Sequence, residues 1–180
     1  DLVLASFTIR RDGSSRFGKN NRYGNFPAAT LGYRLSKNLK ASWIDDLKIR
    51  ASWGKTGNQE ISNTARYGLY VADYGADRVT STAYDIFRQG TGIFPSGFRA
   101  TQTANDNLKW ETTIQYNVGA DFSMFNQELY GTVDAYIKDV KDMLISPAYL
   151  GAMGEGGASW SNGPSLRNIG MEANVGYRHT

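Results

Sequence analysis

Residues Trp110 to Met124 read WETTIQYNVGADFSM. Taken alternately they separate into two chemically distinct sets. Trp110, Thr112, Ile114, Tyr116, Val118, Ala120, Phe122 and Met124 share one parity; Glu111, Thr113, Gln115, Asn117, Gly119, Asp121 and Ser123 share the other. A β-strand sends successive side chains to opposite faces, so this stretch predicts a long strand lying between a dry medium and a wet one.

The same alternation returns on both sides of it. Leu47, Ile49, Ala51 and Trp53 alternate with Asp46, Lys48, Arg50 and Ser52, and Leu129, Val133, Ala135 and Ile137 face away from Thr132, Asp134, Tyr136 and Lys138. Ile169, Met171, Ala173, Val175 and Tyr177 alternate with Asn168, Gly170, Glu172, Asn174, Gly176 and Arg178. Weaker versions run from Val3 to Arg10 and from Ala29 to Ser36. About six antiparallel strands are expected in an all-β fold. Several exceed the ~5–6 residues usual in a soluble sheet and approach the ~9–11 that cross a bilayer when tilted.

The connections sort by length. A polar loop, Arg11 to Asn25, is followed by a shorter link from Ser36 to Asp45, a very long stretch from Gly54 to Lys109, a tight turn at Phe125 to Glu128 and a long loop from Ser146 to Arg167. Strands running up and down would put every long loop at one rim and every short turn at the other, the arrangement of an outer-membrane barrel. A structureless excursion of more than ~15 residues is uncommon in a compact domain, so Arg66 to Tyr74 is expected to supply extra strands or a hairpin.

Polarity assigns the faces. Lys48, Arg50, Glu111, Gln115, Asn117, Asp121, Asp134, Glu172, Asn174 and Arg178 fall on the polar parity and are expected to face a lumen. Ile49, Ala51, Ile114, Val118, Ala120, Val133, Ile137, Ala173 and Val175 are expected to face lipid, where a charge at the midplane costs about 2–4 kcal/mol. Trp53 and Trp110 at the long-loop side, and Phe122, Phe125 and Tyr130 at the short turn, fit two interfacial aromatic belts; rings closing the ends of a core fit equally.

Composition removes several alternatives. In 180 residues the formal charge is +3 without a basic run, which excludes a committed nucleic-acid binder. No stretch is apolar enough for a membrane helix. Cysteine is absent and His179 is the single histidine, so thiolate metal sites, cysteine nucleophiles and most His-based catalytic schemes lack their residues. No catalytic residue, cofactor or metal is expected. The 20 glycines and 11 tyrosines favour β-structure. Asp1 to Leu4 has no signal-peptide pattern, so any export signal would lie outside this sequence.

Local motifs add little chemistry. Gly54-Lys55-Thr56 has Ile49 where a phosphate-binding loop needs glycine, and Gly154 to Gly157 lacks a strand-turn-helix context. Asp45-Asp46 reads as a solvated turn. Arg10, Arg11, Arg16, Lys19 and Arg22 form a basic cluster that would attract anionic lipopolysaccharide or substrate, or simply solvate a loop. Sugar-binding surfaces stack rings on pyranose faces with amides and carboxylates alongside. Tyr67, Tyr70, Tyr74, Asp73, Trp160 and Asn162 are the substrate-contact candidates, against the alternative that such rings pack one loop on another.

Three motifs carry more than periodicity: RRDGSSRFGKNNRYGNFP from Arg10, LKIRASWGKTGNQ from Leu47 and NLKWETT from Asn107. With VDAYIK from Val133, KDMLI from Lys141 and NIGME from Asn168, they resemble the barrel of SusC/RagA-family TonB-dependent outer-membrane transporters. The resemblance covers most of the chain outside Ser62 to Ala104. It implies a segment, residues 1–180, of a barrel of about 22 strands in the outer membrane of a Gram-negative, Bacteroidota-type bacterium. It also implies import of oligosaccharides or peptides, a SusD-like surface lipoprotein as partner, and a TonB complex reached through a plug that is not in this sequence. The sequence ends at His179-Thr180 without a terminal aromatic, so further strands are expected. The competing readings are a siderophore or vitamin receptor, a plugless adhesin or porin, and a soluble carbohydrate-binding β-sandwich, in which Ile49, Val118, Ile137 and Val175 would be buried under a second sheet.

Overall fold

Each of the six alternating stretches becomes a strand, and the six pair antiparallel in the order in which the chain lays them down. The computed structural model describes residues 1–39, 41–73, 97–147 and 159–179. The wall consists of β1 (Val3–Gly13), β2 (Tyr23–Arg34), β3 (Ile44–Asn58), β6 (Glu111–Met124), β7 (Leu129–Lys141) and β10 (Leu166–Tyr177). Two small pairs sit in the connections: β4 (Leu69–Asp73) with β5 (Gly97–Gln102), and β8 (Leu144–Ile145) with β9 (Ser161–Asn162). The expected hairpin at Arg66 to Tyr74 is therefore present in part, as β4; Tyr74 lies outside the described residues. No helix among the described residues is long and apolar enough to cross a membrane.

Register makes the wall two-faced. Three consecutive rows cross all six strands on one side: Val3–Tyr33–Ile49–Ala120–Val133–Ala173, Ala5–Leu31–Ala51–Val118–Ala135–Met171, and Phe7–Ala29–Trp53–Tyr116–Ile137–Ile169. None contains a charge. From Tyr116 to Met124 the band follows β6 for ~26 Å at ~3.3 Å per residue, or roughly 20 Å of height for strands tilted ~40°. The opposite parity carries Lys48, Arg50, Ser52, Asn117, Asp121, Asp134, Glu172 and Asn174 in the intervening rows.

Among the described residues nothing covers the apolar band. Val118 is 58% exposed, Val175 62% and Met171 78%. Ile137 is also exposed and Ile49 is half-buried, and among the described residues no second sheet lies over any of them. This overturns the β-sandwich expectation.

Glycine opposite an aromatic ring recurs along the ladders. Gly13 faces Tyr23, Gly131 faces Phe122, Gly170 faces Tyr136 and Gly176 faces Tyr130. In each pair the ring lies over the glycine, and a Cβ on Gly170 would stand 2.5 Å from the Tyr136 ring. A flat ring on a bare backbone shields that backbone and ties two strands to one register.

Several boundaries differ from the sequence expectation. β1 continues through Gly13 and β2 begins at Tyr23, so the first loop is 14–22 rather than Arg11 to Asn25. β3 starts at Ile44, which draws Asp45 and Asp46 into a bulged strand end, and it runs on to Asn58, past the expected loop start at Gly54. The reason is that strands outlast the apolar band: beyond it Arg11, Asn25 and Lys55 occupy the apolar parity, and the alternation disappears although the ladder does not. Trp110 also leaves the belt reading, because it is 7% exposed within a core of loops. Tyr130 shares a parity with Asp134, on the polar face.

The tight turn is strained. Phe125, Asn126 and Gln127 all adopt positive φ, a region that L side chains rarely occupy. Neighbouring groups hold it. The Phe125 N–H donates to the Trp43 carbonyl (3.0 Å), the Gln127 N–H donates to Asp45 Oδ2 (2.8 Å), and the Phe125 and Trp43 rings stack with centroids 6.3 Å apart.

In the intact protein reconstituted in lipid vesicles, Val118→Arg should destabilise the wall by about 2–4 kcal/mol. Asn117→Arg, one residue away on the other face, should change it by less than ~1 kcal/mol. Urea unfolding followed by tryptophan fluorescence measures both.

Candidate functional site

The polar face is organised around one arginine. On β3, Arg50 donates from Nε to Asp121 on β6 (2.9 Å) and from Nη2 to Asp134 on β7 (2.8 Å). It reaches β7 across Gly119, the residue opposite both Arg50 and Asp134. A Cβ at Gly119 would collide with the Asp134 carboxylate. Lys48 approaches the other Asp121 oxygen at 3.6 Å, and Glu172 lies opposite Asp134 on β10. A neutral chain runs beside these charges: Gln115 donates to Asn117 (2.8 Å), which donates to Ser52 Oγ (3.0 Å). Interlocked opposite charges at half-burial brace the strands while leaving the face wettable.

Small residues flank this network. Ser6, Thr30, Gly32 and Ser52 floor a hollow of about 510 Å³ bordered by Leu4, Lys48 and Arg50. A mixed-sign, small-floored surface can receive a polar body or water. No group of three or more metal-ligating side chains occurs among the described residues.

The long-loop rim has its own core. Phe17 from the first loop, Phe26 on β2, Ile61 and Ala65 after β3, and Leu108 and Trp110 before β6 are buried together, with Leu144 and Trp160 packed against them. Trp110 meets Phe17 at 5.0 Å and Phe26 edge-on at 5.3 Å, and its indole N–H donates to the Arg22 carbonyl (3.2 Å). Arg16, read from sequence as part of a basic cluster, donates instead to Asn63 Oδ1 and the Gln59 carbonyl (2.8 Å each). Loops from separate connections are thus fused into one cap.

The candidate contact residues divide. Tyr67 and Tyr70 are exposed, and the Arg66 guanidinium lies 4.2 Å over the Tyr67 ring. Trp160 packs on the rim core and its carbonyl accepts from Asn105 (2.8 Å). Asn162 accepts from the Lys109 N–H (3.0 Å) and donates to the carbonyls of Lys109 and Asp142 (2.8 and 2.9 Å), acting as a backbone surrogate that docks β9 beside β6. Asp73 ends β4, and Tyr74 lies outside the described residues. Glu111, expected toward a lumen, joins the rim by accepting from Asn58 (3.2 Å) and the Leu144 N–H (3.0 Å). Arg178, just past β10, holds its guanidinium 5.8 Å over the Tyr130 ring. The Arg50 network escaped the sequence reading because its partners are 71 and 84 residues away; only the shared parity of oppositely charged residues hinted at it.

Comparison with known proteins agrees with this geometry. The family model described as "TonB dependent receptor-like, beta-barrel" matches residues 3–180. The chain is 36% identical over 178 residues to the TonB-dependent receptor SusC of Bacteroides thetaiotaomicron, covering 96% of this chain and 17% of that protein. It is 39% identical over 148 residues to the TonB-dependent receptor P39 of Formosa agariphila, covering 81% of this chain and 12% of that one. The RagAB peptide importer in its closed-closed state superposes with a TM-score of 0.79 at 27% identity, over 97% of this chain and 18% of the other. The chain thus spans about one sixth or less of the length of the curated relatives it matches.

Trp110→Ala should remove about 3–5 kcal/mol of packing from the rim core. Limited proteolysis of the intact protein should then cut within 14–22 and 59–66 at least tenfold faster, with the unfolding midpoint of the wall little changed. Arg50→Met should lower that midpoint instead, by the equivalent of about 1–2 kcal/mol, because Asp121 and Asp134 lose the cation between them.

Proposed function

The chain belongs to the TonB dependent receptor-like β-barrel family, and from that premise we propose that it forms barrel wall and extracellular loops of a transporter that imports oligosaccharides or peptides across an outer membrane. The observation that carries the reading is the bare apolar band, three charge-free rows deep, on a sheet whose other side is polar. Hydrocarbon is the medium that such a face fits, and a wet lumen suits the Lys48–Arg50–Asp121–Asp134 lattice behind it. Ile49, Ala51, Ile114, Val118, Ala120, Val133, Ile137, Ala173 and Val175 face lipid on this reading.

Residues 1–180 are one stretch of a longer barrel, with the plug and remaining strands supplied elsewhere in the protein. The wall does no covalent chemistry. It partitions lipid from lumen, and the fused rim presents loops to cargo and to a SusD-like lipoprotein partner. Energy enters through a TonB complex acting on the plug. Tyr67 and Tyr70 are the exposed rings best suited to stack on a sugar or peptide group.

Deleting the gene from its native strain should abolish uptake of an oligosaccharide or peptide and leave ferric-siderophore uptake unchanged. Loss of TonB should reproduce the defect. Restoring the gene with Tyr67→Ala and Tyr70→Ala together should raise the half-saturating cargo concentration several-fold. Loss of siderophore uptake alone would reject the cargo assignment, and full uptake in the deletion strain would reject the transport role.

A further inference from the structure

At the long-loop edge of the apolar band the outward parity changes from hydrocarbon side chains to cations. Two residue pairs beyond the last charge-free row β3 carries Lys55 and β10 carries Arg167, and four pairs beyond it β1 carries Arg11 and β7 carries Lys141. Asp139 is the one carboxylate among these outward strand positions, and it is bound bidentately by Arg167 at 2.6 and 2.9 Å. The other end of the same face is different: Leu47, Phe122, Leu129 and Tyr177 carry no charge. The asymmetry tells against simple solvation, because a solvated rim mixes both signs, as the lumen parity of the same strands does with Arg10 and Asp12 (2.7 Å).

The cations are also placed to work at an apolar boundary. Arg11 is exposed, with its guanidinium 5.0 Å over the outward Tyr23 ring. Lys141 and Arg167 border a hollow of about 320 Å³ at the top of β7 and β10, with Ser165 beside them. Arginine and lysine stems are long enough to lie along an apolar surface while their charges reach a polar layer beside it. Positive charges two and four residue pairs above the last charge-free row, roughly 5–10 Å of height at ~3.3 Å per residue and ~40° tilt, match the depth of lipid phosphates.

We propose that this outward rim is a binding site for the phosphorylated headgroups of the anionic glycolipid of the outer leaflet, lipopolysaccharide. The proposal rests on the barrel-wall reading above, which puts the long loops at the cell surface. Phosphate oxygens accept from Arg11, Lys55 and Lys141, and acyl chains follow the apolar rows below. Arg167 is partly neutralised by Asp139 and contributes hydrogen bonding more than net charge.

The test uses the intact, membrane-extracted protein and the variant Arg11→Gln/Lys55→Gln/Lys141→Gln, which leaves the Arg167–Asp139 pair in place. Binding of purified phosphorylated lipid A in detergent should weaken roughly a hundredfold, about fivefold per cation removed. The dephosphorylated lipid should bind the parent and the variant equally weakly. Lys138→Gln, on the lumen parity, should change nothing. Equal binding of phosphorylated lipid A by parent and triple variant overturns the proposal, as does equal binding of the two lipids by the parent. Displacement of lipid A by millimolar inorganic phosphate would overturn it in favour of a general anion site. Should the triple variant not fold, Lys55→Gln/Lys141→Gln should still show a loss of roughly twenty-five-fold. Heat-modifiable gel migration and outer-membrane fractionation of the parent are read first: failure there refutes the barrel-wall reading, and normal behaviour with unchanged lipid binding refutes the lipid site alone.

Discussion

Register is the constraint on which the rest of the structure depends. Because side chains alternate with a period of two, a slip of one residue between any two strands would exchange the charge-free rows for the row holding Arg50, Asp134 and Glu172. Every device in the wall opposes that slip. Rings seated on Gly13, Gly131, Gly170 and Gly176 fit at one alignment. The Arg50 guanidinium can touch Asp121 and Asp134 together only when Gly119 lies between them. The turn at Phe125 to Glu128 is held in a left-handed conformation by Trp43 and Asp45, fixing the start of the β6–β7 ladder. Hydrophobicity selects the face, and these contacts select the alignment.

The wall was legible in the sequence wherever two media impose alternation. Trp110 to Met124 could be read as a strand from its residues alone, and Leu129 to Ile137 and Ile169 to Tyr177 followed the same rule. Legibility ended where one medium replaced two. Arg11 to Gly13, Tyr23 to Ala28 and Gly54 to Asn58 are strand, yet beyond the apolar band polar residues such as Arg11, Asn25 and Lys55 take the outward parity while Phe26 turns into the rim core, and the period fades. Trp110 shows the same limit from another side: as the first member of the alternating series it looked like an interfacial anchor, whereas it caps a core made of Phe17, Phe26 and Leu108 from three separate segments. Contacts between loops leave no period to read.

The candidate contact residues illustrate how composition misleads in loops. A tryptophan ring with an asparagine amide alongside looks like a sugar platform, but Asn162 pairs with the backbone of Lys109 and Asp142, and Trp160 packs against the rim core. Asn58, Asn105 and Asn107 take part in similar backbone or rim contacts. In this rim asparagine serves as mortar between connections that have too few residues for a ladder. Tyr67, just before β4, and Tyr70, within it, remain exposed although the rim holds the backbone beside them, with the Asn105 N–H on the Arg66 carbonyl (3.0 Å) and Gln102 Nε2 on the Tyr67 carbonyl (2.9 Å).

The β3–β6 seam has a consequence for how such a protein diversifies. It is the longest ladder of the wall, pairing Ile44 through Asn58 with Met124 back to Glu111, yet the chain leaves it for residues 59–110 before returning. Closing a detour costs free energy only logarithmically in its length, so doubling the excursion adds about 0.6 kcal/mol. A seam this extensive absorbs that penalty easily. The excursion can therefore be lengthened or exchanged, as a tool is changed in a fixed chuck, without renegotiating the alignment of a single wall strand.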